Sequence, residues 1–67
     1  MARASVQVGD RFTRAVGSAT VYVVTAIVEK PGHLPHARLA MEGGMPTDEL
    51  LVSVDALEDR KLWRPAR

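Results

Sequence analysis

The sequence predicts an all-β fold, a small five-stranded barrel with a single 3₁₀ turn before its last strand. Three observations carry this. Thr20 to Val28 is dense in β-branched residues and apolar on both faces, which suits the long, bent central strand of a small barrel. His36 to Glu42 alternates, with Ala37, Leu39 and Met41 on one side and His36, Arg38, Ala40 and Glu42 on the other, as a half-buried antiparallel strand does. Gly17-Ser18, Lys30 to Pro35 and Gly43 to Pro46 supply turn and loop chemistry around these segments.

Taken in order, residues 1–5 read as a frayed tail, since they mix small residues with Arg3 and show no period. A first strand is expected over Val6 to Ala15. Val6, Val8, Asp10, Phe12 and Arg14 share one side of its period-2 ladder, and Gly9-Asp10 marks a bend. The central strand follows the Gly17-Ser18 turn. Two prolines and a glycine between Lys30 and Pro35 then force a loop, because they remove donors and regular dihedrals.

From Thr47 onward two readings compete. In one, Thr47 caps a helix with Asp48 and Glu49 in its first turn, Leu50, Val54 and Leu57 on one stripe, and Arg60 and Lys61 near its end. In the other, Asp48 to Val54 is a strand, Asp55-Ala56-Leu57 a 3₁₀ turn, and Arg60 to Arg64 a last strand ended by Pro65. The second is preferred, because Val52-Ser53-Val54 favours strand and the helix would leave sheet edges uncovered. The domain then spans residues 6–64, with a C-terminal tail at 65–67. Phe12, Ile27, Leu39, Val54, Leu57 and Trp63 are the expected core.

Size and charge narrow the function. A chain of 67 residues has room for one core and buries only roughly 60% of the surface its unfolded form exposes. Chains of this size often add disulfides, metal or self-association. The absence of cysteine excludes disulfides and thiolate metal sites and suits a reducing, cytoplasmic compartment. Self-association, as a possible homodimer, remains, and the Leu50-Leu51-Val52 strand with apolar side chains on both faces is the expected surface. A net charge of +1 does not by itself draw the chain to nucleic acid or anionic lipid. The longest apolar stretch, Val21 to Val28, falls far short of the roughly 20 residues a membrane-spanning helix needs.

The order of signals resembles a group of short bacterial proteins of uncharacterised function that fold as SH3-like barrels. Gly9-Asp10-Arg11-Phe12, the long apolar strand, the Pro/Gly loop, His36-Ala37-Arg38-Leu39, Val52-Ser53-Val54-Asp55-Ala56-Leu57 and Trp63 carry the likeness. It implies an SH3-like fold and no activity. More distantly, Gly9-Asp10-Arg11 and Val54-Asp55-Ala56-Leu57-Glu58 are similar to stretches of the plasmid-borne type II dihydrofolate reductases, which are SH3-like barrels working as tetramers around a pore. Their Val-Gln-Ile-Tyr pore motif would fall on Glu49-Leu50-Leu51-Val52, where the Gln and Tyr are missing.

The chemistry-bearing residues point away from catalysis. His33 and His36 have a helical metal-ligand spacing, but Leu34-Pro35 lies between them, so no helix holds the pair. The carboxylate pairs Asp48-Glu49 and Glu58-Asp59 are adjacent, which suits solvated surface better than an acid/base dyad. Ser5, Ser18 and Ser53 lack a glycine-flanked elbow. Gly43-Gly44 is read as a turn, because no Gly-Lys-Ser/Thr follows. Trp63, with Tyr22 and Phe12, belongs either to a stacking platform or to the core, and the core is preferred in so small a domain. The leading expectation is a non-catalytic binding or assembly module without cofactor or metal, contacting another protein or itself. The alternatives are nucleic-acid binding through Arg11, Arg14, Arg38, Arg60, Lys61 and Arg64, should these converge, and a reductase-like oligomer that would bind nicotinamide.

Overall fold

The structure, a computed structural model, describes residues 6–17, 19–45 and 49–66. Its elements are β1 (Arg11–Arg14), β2 (Val21–Val28), β3 (His36–Met41), β4 (Glu49–Ser53), α1 (Val54–Leu57) and β5 (Trp63–Pro65). The strands form one five-stranded antiparallel sheet in the order β4-β3-β2-β1-β5. An all-β chain is what the strand patterns required. The tail expected at residues 1–5 lies outside the described residues.

The first strand is shorter than its ladder suggested. Gly9 sits at a φ of 96°, a backbone region that favours glycine. The Asp10 carboxylate accepts from the Gln7 N–H at 2.9 Å, and the Asp10 N–H donates to the Gln7 carbonyl at 3.0 Å. This local turn ends the ladder, so Val6 is buried while Val8 is exposed, and regular pairing starts at Arg11. The turn also docks on β2: Gly9 N–H donates to Val24 O at 2.9 Å, and Val24 N–H to Asp10 O at 2.8 Å.

Strand β2 is the organiser. Along β3 its register reads Tyr22↔Met41, Val23↔Ala40 and Val24↔Leu39, then skips Thr25 and resumes as Ala26↔Arg38, Ile27↔Ala37 and Val28↔His36. A bulge of this kind bends and twists the bulged strand. Before Thr25, β2 is shared between β1 and β3; after it, β3 alone is its partner. Ile27, expected in the core, is therefore only partly buried, packed against the cluster from the far side of the bulge. Tyr22 and Val24 take the buried places instead.

Past β4 the chain makes one α-helical turn where a 3₁₀ turn was expected. Glu58 N–H donates to Val54 O at 3.0 Å, the i to i−4 bond of an α-helix. The turn begins where Ser53 caps it, its Oγ accepting from Ala56 N–H at 3.1 Å, the usual task of a serine at an N-cap. This places Val54 in α1 and leaves Val54 and Leu57 buried. The last strand then runs Trp63–Pro65 rather than Arg60 to Arg64, because residues after Glu58 are held in a turn: Leu62 and Trp63 N–H both donate to Asp59 O, at 2.9 and 3.0 Å. Pro65, expected to stop the strand, pairs with Phe12 inside it.

The core gathers Val6, Phe12, Tyr22, Val24, Ala37, Leu39, Val54, Leu57 and Trp63 on one face of the sheet. Trp63 meets Tyr22 edge to face, centroids 5.5 Å apart, an arrangement favoured by the ring quadrupoles. The other face is left to solvent. Leu57→Ala, at a position 2% exposed, should cost about 2–4 kcal/mol, and Ile27→Ala should cost clearly less. Chemical denaturation of the two variants checks this, and equal losses would contradict the burial difference.

Candidate functional site

Register and burial together assign the side chains to faces. On β3, buried Ala37 and Leu39 alternate with Arg38, Ala40 and half-buried His36, so those three lie on the outer face. On β1, Phe12 is buried and Arg11 and Thr13 point the other way, next to Arg64 of β5 through the Thr13↔Arg64 pair. Arg11, Arg38 and Arg64 thus share the outer face. Arg14 does not: its guanidinium carbon lies 5.0 Å from the Trp63 ring centroid, on the Phe12 side of β1. Arg60 and Lys61 belong to the turn before β5, with Lys61 N–H held by the Asp59 carboxylate at 2.9 Å.

Two of these cations already have local roles. Arg11 forms a forked pair with Glu42, at 2.7 and 3.0 Å, joining the start of β1 to the end of β3. No local pattern marks this partner, which lies 31 residues away and meets Arg11 only through sheet pairing. Both side chains are more than a third exposed, so solvent screens the pair and it contributes at most about 1 kcal/mol. Arg14 covers one face of Trp63, which is itself only 5% exposed. With Phe12 and Tyr22 also buried, the aromatic rings serve the core and present no platform for stacking bases.

The remaining sequence candidates sit in turns or at strand ends beside them. His33 is exposed in the loop, and His36 Nδ1 lies 2.9 Å from the Leu34 carbonyl oxygen, tying the loop to β3. Among the described residues no three His, Asp or Glu side chains gather as a metal site would need. Gly43 has a φ of 78° and Gly44 N–H donates to Met41 O at 2.9 Å, so the glycine pair turns the chain after β3. Asp48 lies outside the described residues. Glu58 closes α1 and Asp59 holds the following turn.

Two concavities remain. A half-open cavity of about 440 Å³ lies between β1, α1 and β5, with Phe12, Leu57 and Trp63 beneath it and Arg11 and Arg60 beside it. Phe12, Leu57 and Trp63 in its floor are buried, and Pro65 and Ala66 at its rim supply its free apolar surface. A smaller groove of about 240 Å³ lies on the outer face, lined by Val28, Lys30, His33, Leu34, His36 and Leu51. Here the apolar surface is free: Leu34 is 63% and Leu51 62% exposed.

This groove borders an open sheet edge, and the two edges differ. On β5, Ala15 N–H donates to Leu62 O and Ala66 N–H to Arg11 O, so Trp63 and Pro65 have their backbone turned away from β1. The Trp63 N–H is taken by Asp59 O, and proline has none. That edge therefore offers no free donor between Trp63 and Pro65. On β4, Val54 N–H donates to Pro35 O at 3.0 Å, which turns the backbone groups of Ser53, Leu51 and Glu49 away from β3. No strand lies along that side among the described residues.

No family model, curated protein or solved structure matches the chain. None of the described helices is long and apolar enough to cross a membrane. Because Trp63 is enclosed, its fluorescence should not change on adding a single-stranded oligonucleotide at about 0.15 M salt. A saturable quench would show that a base reaches the ring.

Proposed function

We propose that this chain is a cytoplasmic, non-catalytic SH3-like module that contacts another protein by accepting an extended strand along β4. The order β4-β3-β2-β1-β5 with a helical turn between β4 and β5 supports the SH3-like reading, and the absence of cysteine suits a reducing compartment. The observation that carries the functional reading is the β4 edge itself. Unpaired N–H and C=O groups along an edge are a template for strand addition. Leu51 and Leu34 beside them add a place for one apolar side chain of the incoming strand. Natural edges are commonly blocked by proline, charge or short length. Strand β5 has all three, whereas β4 has a single charge at its start, Glu49, followed by Leu50, Leu51 and Val52.

The test uses an extended, β-branched peptide with charged ends, such as acetyl-Lys-Thr-Val-Val-Val-Thr-Lys-amide, added to a dilute solution of the full chain. Amide exchange at Leu51 should slow by at least about tenfold at saturation, while exchange in β5 stays the same. Leu51→Lys should weaken that binding without moving the denaturation midpoint by more than about 0.5 kcal/mol. Unchanged exchange at Leu51 under saturating peptide would overturn the reading.

A further inference from the structure

We infer that the strand β4 accepts is the β4 of a second copy of this chain, paired antiparallel about a two-fold axis at Leu51. The inference rests on the edge reading above and names its partner. It follows from the self-complementarity of Glu49-Leu50-Leu51-Val52-Ser53. With Leu51 opposite Leu51 of the copy, Leu50 meets Val52 and Glu49 meets Ser53. Apolar residues meet apolar residues at every position, and the only charge meets a hydroxyl-bearing residue. Sliding the register by two residues places Glu49 opposite Leu51 in one direction and Leu51 opposite Ser53 in the other, and a slide of four brings the two Glu49 carboxylates together.

Backbone direction agrees with this axis. Leu51 is one of the residues whose N–H and C=O point away from β3, so a Leu51 pair exchanges both hydrogen bonds, while Ser53, whose carbonyl is taken by α1 as its N-cap, has its N–H left for the Glu49 carbonyl of the copy. A closed pair of this kind is isologous, the commonest symmetry of soluble oligomers. The two exposed Leu51 side chains become neighbours on the outer face, next to Leu34 and Val28 of each groove.

Charge is compatible with the same placement. His36 is the β3 neighbour of Ser53, so each Glu49 carboxylate faces a Ser53 backed by the imidazole of the other copy. Arg38 is the β3 neighbour of Leu51, and the two Arg38 residues stand three strand spacings apart, about 14 Å at about 4.8 Å each. That exceeds the Debye length of about 8 Å at physiological salt, so their repulsion is largely screened. The contact is narrow beside the roughly 800 Å² per partner of a standard interface. Reversible association in the micromolar range is therefore expected.

Two measurements on the full chain decide it. Sedimentation over a hundredfold range of concentration should pass from monomer to dimer mass, and Leu51→Lys should raise the dissociation constant at least about tenfold with the fold intact. Leu51→Thr, which keeps strand propensity, serves as the second variant. Because the chain has no cysteine, a single one reports register. Cα atoms of a hydrogen-bonded antiparallel pair lie about 5.5 Å apart, within disulfide reach. Mild oxidation should thus link Leu51→Cys into a covalent dimer and leave Glu49→Cys unlinked. A monomer at every concentration, with the strand peptide still bound, would overturn the second copy as partner and leave the edge reading standing. If the peptide also failed to bind, both would fall. A dimer indifferent to Leu51→Lys, or equal linking of both cysteine variants, would overturn the proposed axis.

Discussion

A single sheet has two faces, and a chain this short can cover only one of them by bending the sheet over itself. The bulge at Thr25 is where that bend is made. It divides β2 into a half paired with β1 and β3 and a half paired with β3 alone, and the turn at Gly9-Asp10 is hydrogen-bonded to Val24, next to the bulge. Phe12 from β1, Leu39 from β3 and Trp63 from β5 can then meet in one cluster. Leu57, brought in by the α1 turn, joins the same cluster. The outer face and the two terminal edges are what the bend leaves over.

How much of this was legible in the sequence depended on whether the signal was local. The β-branched run of β2 and the alternation of β3 identify their elements without help from the rest of the chain. Strand β1 was legible only in part: Gly9-Asp10 was readable as a bend, but its ladder carried the strand back to Val6, whereas the bend is a hydrogen-bonded turn after which regular pairing starts at Arg11. After Thr47 the sequence allowed helix or strand because Leu50, Val54 and Leu57 suit a helical stripe as well as a strand followed by a turn. Ser53 separates the two: as an N-cap it ends β4 and starts α1 in one residue. Ile27 misled because a bulge cannot be read from a continuous apolar run, and its depth depends on which side of Thr25 it falls.

The candidate site was legible to a different degree. The apolar side chains of Leu50, Leu51 and Val52 were visible as projecting to both faces, but the sequence did not say that β4 ends the sheet, nor that Leu34 of the proline loop lies beside Leu51. Both depend on strand order, which is a long-range property. The basic residues illustrate the same limit. Arg11, Arg14 and Arg38 are similar in sequence, yet one is paired with Glu42, one covers Trp63 and one stands on the outer face.

The contrast between the two edges links stability to association. At β5 the devices that block strand addition also serve the fold: Asp59 holds the turn that aims Trp63 into the core, and Pro65 pairs with Phe12 with its ring nitrogen on the open side. Protection of that edge comes at no separate cost. At β4 the fold makes no such demand. Leu50 and Val52 face the core, but Leu51 faces away from it, and a lysine or threonine there would leave the packing of the buried cluster untouched. A lone exposed leucine would call for no explanation, but Leu51 lies on an unprotected edge and lines one groove with the equally exposed Leu34. A contact along β4 would account for it, since strand addition gives Leu51 both an apolar neighbour and backbone partners.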